Sequence, residues 1–206
     1  KLFHGEPFRF GKFENDEQIA TLPKLSENDT QIGDLMYEDL NKDGVIDVND
    51  QKVIGNTAPR LRYALNIDLN YKDFGLSITG TGRAFCDLAM TNEYFWNGWG
   101  DGSYSQFVAD NIGGAYPRLG YDKSATNFVK SDFWLRKGGY FKLKSVQLSY
   151  TLYPKAKWIE SLRFTVTGGN LLTITPVEYV DPEDTAAGVT AYPFFRTVMA
   201  GVKVTF

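Results

Sequence analysis

One stretch of the chain gathers oxygen donors at a spacing that suits a hard cation. Asp39, Asn41, Asp43, Asp47 and Asp50 fall at positions 1, 3, 5, 9 and 12 of the window 39–50. Gly44 falls at position 6, where such a loop must turn sharply, and the apolar Ile46 at position 8. Val45, at position 7, would contribute its backbone carbonyl. Calcium takes about 6–8 oxygens around one point, and this EF-hand spacing wraps them about an ion. The last position departs from the pattern, with Asp50 in place of Glu. Its side chain is one methylene shorter, so bidentate reach is less secure, and magnesium or a water-completed site also fits. With a single such loop in the chain, a structural clip is expected rather than a paired sensor. The plainer alternative is a solvated acidic turn stitched by Asx hydrogen bonds.

Two tryptophans supply the other candidate contact. Trp96 and Trp99 lie in a Gly- and Asn-rich stretch and could stack on sugar rings or on peptide side chains. The same residue types also plug a loop against a barrel wall. No catalytic constellation accompanies them. His4 is the only histidine and Cys86 the only cysteine, and they lie far apart in sequence. No nucleophile elbow, phosphate loop, dinucleotide fingerprint or zinc spacing is present, so the chain reads as a non-enzyme. Cys86 is expected to pack rather than react. A net charge of −3 gives no basic footprint for nucleic acid.

These residues must be held by a scaffold, and its signal is a period of two. Leu61, Tyr63, Leu65, Ile67, Leu69 and Tyr71 alternate with Arg62, Ala64, Asn66, Asp68 and Asn70. The alternation predicts a β-strand with one apolar face, continued as a hairpin over 60–72 and 74–85. Further strands are predicted near 138–152, 161–172 and 195–206, with two or three weaker ones elsewhere. In the first of these, Phe141 and Leu143 share one parity while Val146, Leu148 and Tyr150 share the other. That switch predicts a bulge near Lys144 and Ser145. At the end of the chain, Val198, Ala200, Val202, Val204 and Phe206 fall on one face, Thr197, Lys203 and Thr205 on the other. Residues 86–133 lack periodicity and read as one long loop, 176–193 as a second, and 1–32 as turn-rich with a short strand near Phe8, Phe10 and Phe13.

A strand of this length reaches the ~9–11 residues that cross a bilayer at a tilt. An apolar face backed by a polar one suits a wall between lipid and a wet lumen; a soluble β-sandwich is the alternative. Aromatics at 15% and 20 glycines suit strands, turns and interfacial girdles. The mean hydropathy of −0.30 is compatible with a barrel, which shows lipid only every second residue. No apolar run reaches the ~18 residues of a membrane-spanning helix. No signal peptide opens the chain, so it is expected either to stay unexported or to be a piece of a longer protein. A 22-stranded barrel needs about 220 residues in strands alone, so a fragment is the expectation.

Several blocks in order carry a family resemblance. They are Gly33 to Asp47 followed by Ile54, Gly55 and Asn56; Ser131 to Tyr150; Leu162 to Thr173; Asp181, Pro182 and Glu183; Tyr192 and Pro193; and the terminal strand. Together they resemble the late barrel region of SusC/RagA-like TonB-dependent outer-membrane transporters. Departures are Gly169, where Gln or Arg often precedes the Asn, and a shortened loop after Glu183. The resemblance implies an all-β chain: the C-terminal strands and extracellular loops of a 22-stranded antiparallel transmembrane β-barrel, spanning 1–206, with the plug domain elsewhere. It also implies a SusD/RagB-like surface lipoprotein lid, TonB energisation through upstream regions, and import of oligosaccharides or oligopeptides across a bacterial outer membrane. The rival expectation is a secreted carbohydrate-binding β-sandwich with a dockerin-like calcium segment.

Overall fold

In a computed structural model, the chain is described at residues 2–3, 6–7, 9–26, 29–91, 95–96, 116–118, 126–156, 158–178, 180–184 and 192–206. The elements in chain order are β1 (Leu2–Phe3), β2 (Glu6–Pro7), β3 (Arg9–Lys12), α1 (Asp16–Thr21), β4 (Leu35–Tyr37), β5 (Gln51–Lys52) and β6 (Gly55–Asn56). There follow β7 (Leu61–Tyr71), β8 (Phe74–Ala84), β9 (Asp87–Ala89), β10 (Leu135–Lys137), β11 (Tyr140–Leu152), β12 (Ser161–Ile174) and β13 (Thr197–Thr205). Short 3-10 turns occupy Val48–Asp50 and Asp132–Trp134.

The chain divides into two compact units. One comprises Pro59–Cys86, Gly138–Pro182 and Tyr192–Phe206. It is a five-stranded antiparallel sheet in the order β13-β12-β11-β8-β7. All five predicted strands are present close to their predicted bounds. The two-residue turn of the first hairpin places Lys72 at φ 54°.

The register carries the alternation across the sheet. Leu65 faces Gly80, Ile67 faces Ile78 and Leu69 faces Leu76. Ile78 then faces Val146, and Leu76 faces Leu148. Leu148 faces Val166, which faces Ala200. One continuous apolar face results, and its large side chains are exposed or half-buried, as with Leu65 at 45% and Val202 at 62%. The opposite face is polar: Asn66 faces Thr79, Asp68 faces Ser77, and Gln147 lies between Ser77 and Thr167. The parity switch in β11 is a bulge. Register shifts between Leu143 and Ser145 against both β8 and β12. Without the extra residue, half of β11 would turn its apolar side chains onto the polar face.

Aromatic rings mark both ends of the apolar face. Tyr63 stacks on Phe141 with centroids 6.3 Å apart toward one end. Phe74 meets Tyr150 at 4.7 Å, and Trp158 stacks on Phe206 at 6.3 Å, toward the other. From Tyr63 to Tyr71 the strand rises about 26 Å at ~3.3 Å per residue. At the ~35–45° tilt of barrel strands that length spans about 18–21 Å of the ~25 Å apolar belt of an outer-membrane barrel wall.

The second unit comprises Lys1–Ala58, Asp87–Lys137 and Glu183–Ala191. The sequence reading of 86–133 as one long loop is corrected at its ends, since Asp87–Ala89 pairs with Leu135–Lys137 and a 3-10 turn precedes the latter; residues 92–94, 97–115 and 119–125 lie outside the described residues. These strands have three residues each, too short for a period-2 signal. In 1–32 the expected short strand is Arg9–Lys12. The helix Asp16–Thr21 was not read from sequence, although Asn15 caps it by accepting from the Gln18 N–H at 2.9 Å.

Candidate functional site

The 39–50 loop forms the turn its sequence encodes. Lys42 at φ 63° and Gly44 at φ 89° reverse the chain. Asp39 accepts from the N–H of Lys42 at 2.6 Å and of Gly44 at 2.8 Å. Asn41 Oδ1 accepts from Asp43 N–H at 2.9 Å, and Asp43 Oδ1 from Val45 N–H at 2.9 Å. Asp47 accepts from the Asn49 N–H at 2.7 Å. These are nested Asx turns, each a carboxylate or amide satisfying a backbone donor two to five residues on.

Asp50 closes the loop. It is fully buried, with Oδ1 accepting from Leu40 N–H at 2.8 Å and Asn41 N–H at 3.4 Å. Its Oδ2 accepts from Asp47 N–H at 2.8 Å, while the Asp47 side chain caps the 3-10 turn in return. Burial opposes the charge, but the backbone donors of Asp47, Leu40 and Asn41 outweigh it and hold the carboxyl below its ordinary range. This reciprocal capping box was missed in the sequence. The spacing of Asp47 and Asp50 was the available signal.

Among the described residues, no three His, Cys, Asp or Glu side chains stand together closely enough to hold a metal ion. The oxygens of 39–50 are instead turned to the loop's own N–H groups. An ionised carboxylate has about four lone-pair sites, so donors remain after these bonds, and the hard-oxygen set fits calcium in chemistry.

Trp96 packs its ring against Phe128 and Trp134, with centroids 5.8 Å away in each case. That setting favours packing over ligand contact. Trp99 lies outside the described residues. Trp134 anchors the cluster by donating from its indole N–H to the Asn127 carbonyl at 2.9 Å. Cys86 is buried, as expected.

A buried polar network near this cluster had no sequence signal. Asp34 is wholly buried and pairs with Arg118 Nε at 3.0 Å. It also accepts from Asn127 Nδ2 at 2.7 Å and from Gln31 N–H at 2.8 Å. Asn127 in turn accepts from the Leu35 N–H at 2.9 Å. Segments 84 and 93 residues apart in sequence are thus tied to one carboxylate.

The polar face of the sheet carries its own charges. Arg62 sits directly opposite Arg83. Lys142 is held against Asp181, and Arg83 Nη2 donates to the Pro182 carbonyl at 2.8 Å.

No family model matches the chain. TonB-dependent receptor P26 of Formosa agariphila is 31% identical over 201 residues, covering 85% of this chain and 20% of that protein. TonB-dependent receptor P3 of the same organism is 26% identical over 213 residues, covering 92% of this chain and 20% of that protein. The chain spans about a fifth of the length of these curated relatives. The solved RagAB peptide transporter superposes with a TM-score of 0.69 at 17% identity, covering all of this chain and 22% of that one. The RagAB peptide importer in its open-open state superposes with a TM-score of 0.67, covering 99% of this chain and 22% of that one. At such identity the superpositions show the fold alone. Sequence likeness to these receptors, with a barrel-wall fold, makes this chain a segment of a TonB-dependent receptor.

Proposed function

We propose that the complete protein is an outer-membrane importer, energised through TonB and working with a SusD/RagB-like surface lipoprotein. Its cargo is an oligosaccharide or an oligopeptide. The observation that carries this reading is the sheet itself: one apolar face that is exposed across all five strands, and one polar face. A β-sandwich would need a second layer over that apolar face, whereas a barrel wall needs lipid there. In this reading the short turns at 72–73 and 153–160 are periplasmic, and the long connections are extracellular. The relatives' names support the receptor class, and a peptide importer among the solved structures keeps peptide open as cargo beside glycan. The test is a clean deletion of the gene, followed by growth and uptake of fluorescent oligosaccharide and oligopeptide mixtures. Loss of uptake of one class, restored by the gene but not by a form lacking its TonB-contacting segment, is the expected result. Undiminished uptake of both classes would overturn the reading.

Calcium at 39–50 is proposed as a structural clip for the same receptor, with Asp39, Asn41, Asp43, the Val45 carbonyl, Asp47 and Asp50 as ligands. The EF-hand spacing and the hard-oxygen donors support it. Bound, the ion would draw together and neutralise the carboxylates of Asp39, Asp43, Asp47 and Asp50.

A further inference from the structure

The segment following β12 is folded onto the polar face of the sheet and tied there by two cations. Lys142 stands on β11 between Thr81 of β8 and Thr173 of β12. Its side chain is 1% exposed, and Nζ lies 2.7 and 2.6 Å from the two oxygens of Asp181. The Phe194 ring covers the same ammonium, its centroid 4.8 Å from Nζ. Arg83 reaches the next residue, donating from Nη2 to the Pro182 carbonyl at 2.8 Å and from Nε to the Gly138 carbonyl at 3.0 Å. Pro182 is fully buried, and Val177 is buried at 5% exposure. At the start of the segment, Thr175 Oγ1 donates to the Gly139 carbonyl at 3.1 Å.

Withdrawing an ammonium from water is costly unless opposite charge compensates it, and removing the carboxylate beside a buried ammonium is strongly destabilising. We propose that residues 175–178 and 180–182 belong to an inward-folded strap, latched onto the polar face of the barrel wall by the Lys142–Asp181 pair and seated by Arg83. Resting on the import reading, the strap narrows the mouth of the substrate path and sets the size of cargo that passes.

The experiment uses the intact receptor in outer-membrane vesicles. Amide hydrogen exchange over 175–182 is compared for wild type, Lys142→Met, Asp181→Asn and the swapped pair Lys142→Asp with Asp181→Lys. Both single variants are expected to speed exchange there about tenfold or more, and the swap to slow it again. Acceleration below tenfold in the single variants overturns the latch. If the single variants fail to assemble, the swap decides: an assembled barrel with a protected strap supports the latch, and failure of the swap overturns it. Wild-type cells that take up neither oligosaccharides nor oligopeptides would remove the transport role while leaving the exchange result standing.

Discussion

The Phe141 ring lies across Gly80 so closely that a Cβ on Gly80 would stand 2.6 Å from Phe141 Cζ. The glycine leaves room on the apolar face, and the ring of the neighbouring strand fills it. Gly80→Val should therefore force the ring aside, at a cost of about 1–3 kcal/mol. Loss of heat-modifiable barrel at a lower temperature than wild type would register it. Phe141→Leu added to that variant is expected to recover part of the loss. An unchanged unfolding temperature in Gly80→Val would show that the ring is not held there.

The two faces of β7 should respond oppositely to charge. Leu65→Arg, near the middle of the strand, is expected to cost about 2–4 kcal/mol if the apolar face meets lipid. Asn66→Ala, one residue on and on the polar face, should change stability little. Spin labels at the two positions give a direct check: oxygen should collide more often with a label at Leu65 than at Asn66. The reverse order would contradict the assignment of faces.

Asp34 is expected to be the most sensitive acidic residue of its unit. Asp34→Ala strips Arg118 and Asn127 of their shared acceptor, at a cost of about 3 kcal/mol for breaking a largely buried pair. Limited proteolysis of the receptor in detergent should then cut within 9–58 and 116–137, while the strands stay resistant. Wild-type resistance in those segments would count against the network.

The 39–50 loop should loosen in acid. The folded Asp50 carboxyl is held below its unfolded value of 3.8. Its contribution to stability is therefore complete above that value and is lost as pH falls through the lower, folded one. Exchange of the Leu40 and Asp47 amides should accelerate only below about pH 4. In Asp50→Asn the same amides should already be fast at neutral pH. Fast exchange in wild type at pH 6 would overturn this.

Chelation provides the test of the calcium clip. Removing calcium should raise protease sensitivity within 33–58, and Asp43→Ala should weaken calcium binding measured by calorimetry on the receptor. Barrel assembly should persist in both cases. Equal calcium affinity in wild type and Asp43→Ala would refute the site.

The sheet was legible in the sequence because a strand's pleat is a local rule. Alternation at Leu61 to Tyr71 states which face is apolar, and the parity switch after Leu143 states where a bulge must sit. The turn at 39–50 was legible for a similar reason, since Asx turns span only two to five residues. Packing decided the rest. Asp87–Ala89 and Leu135–Lys137 are too short to carry a period, and they exist only because they pair with each other across 45 intervening residues. Nothing near Asp34 announces Arg118, and nothing near Lys142 announces Asp181. Each charge is compatible with an exposed loop or strand until the fold removes its water. Burial then makes the partner obligatory, and burial is a property of the tertiary structure alone.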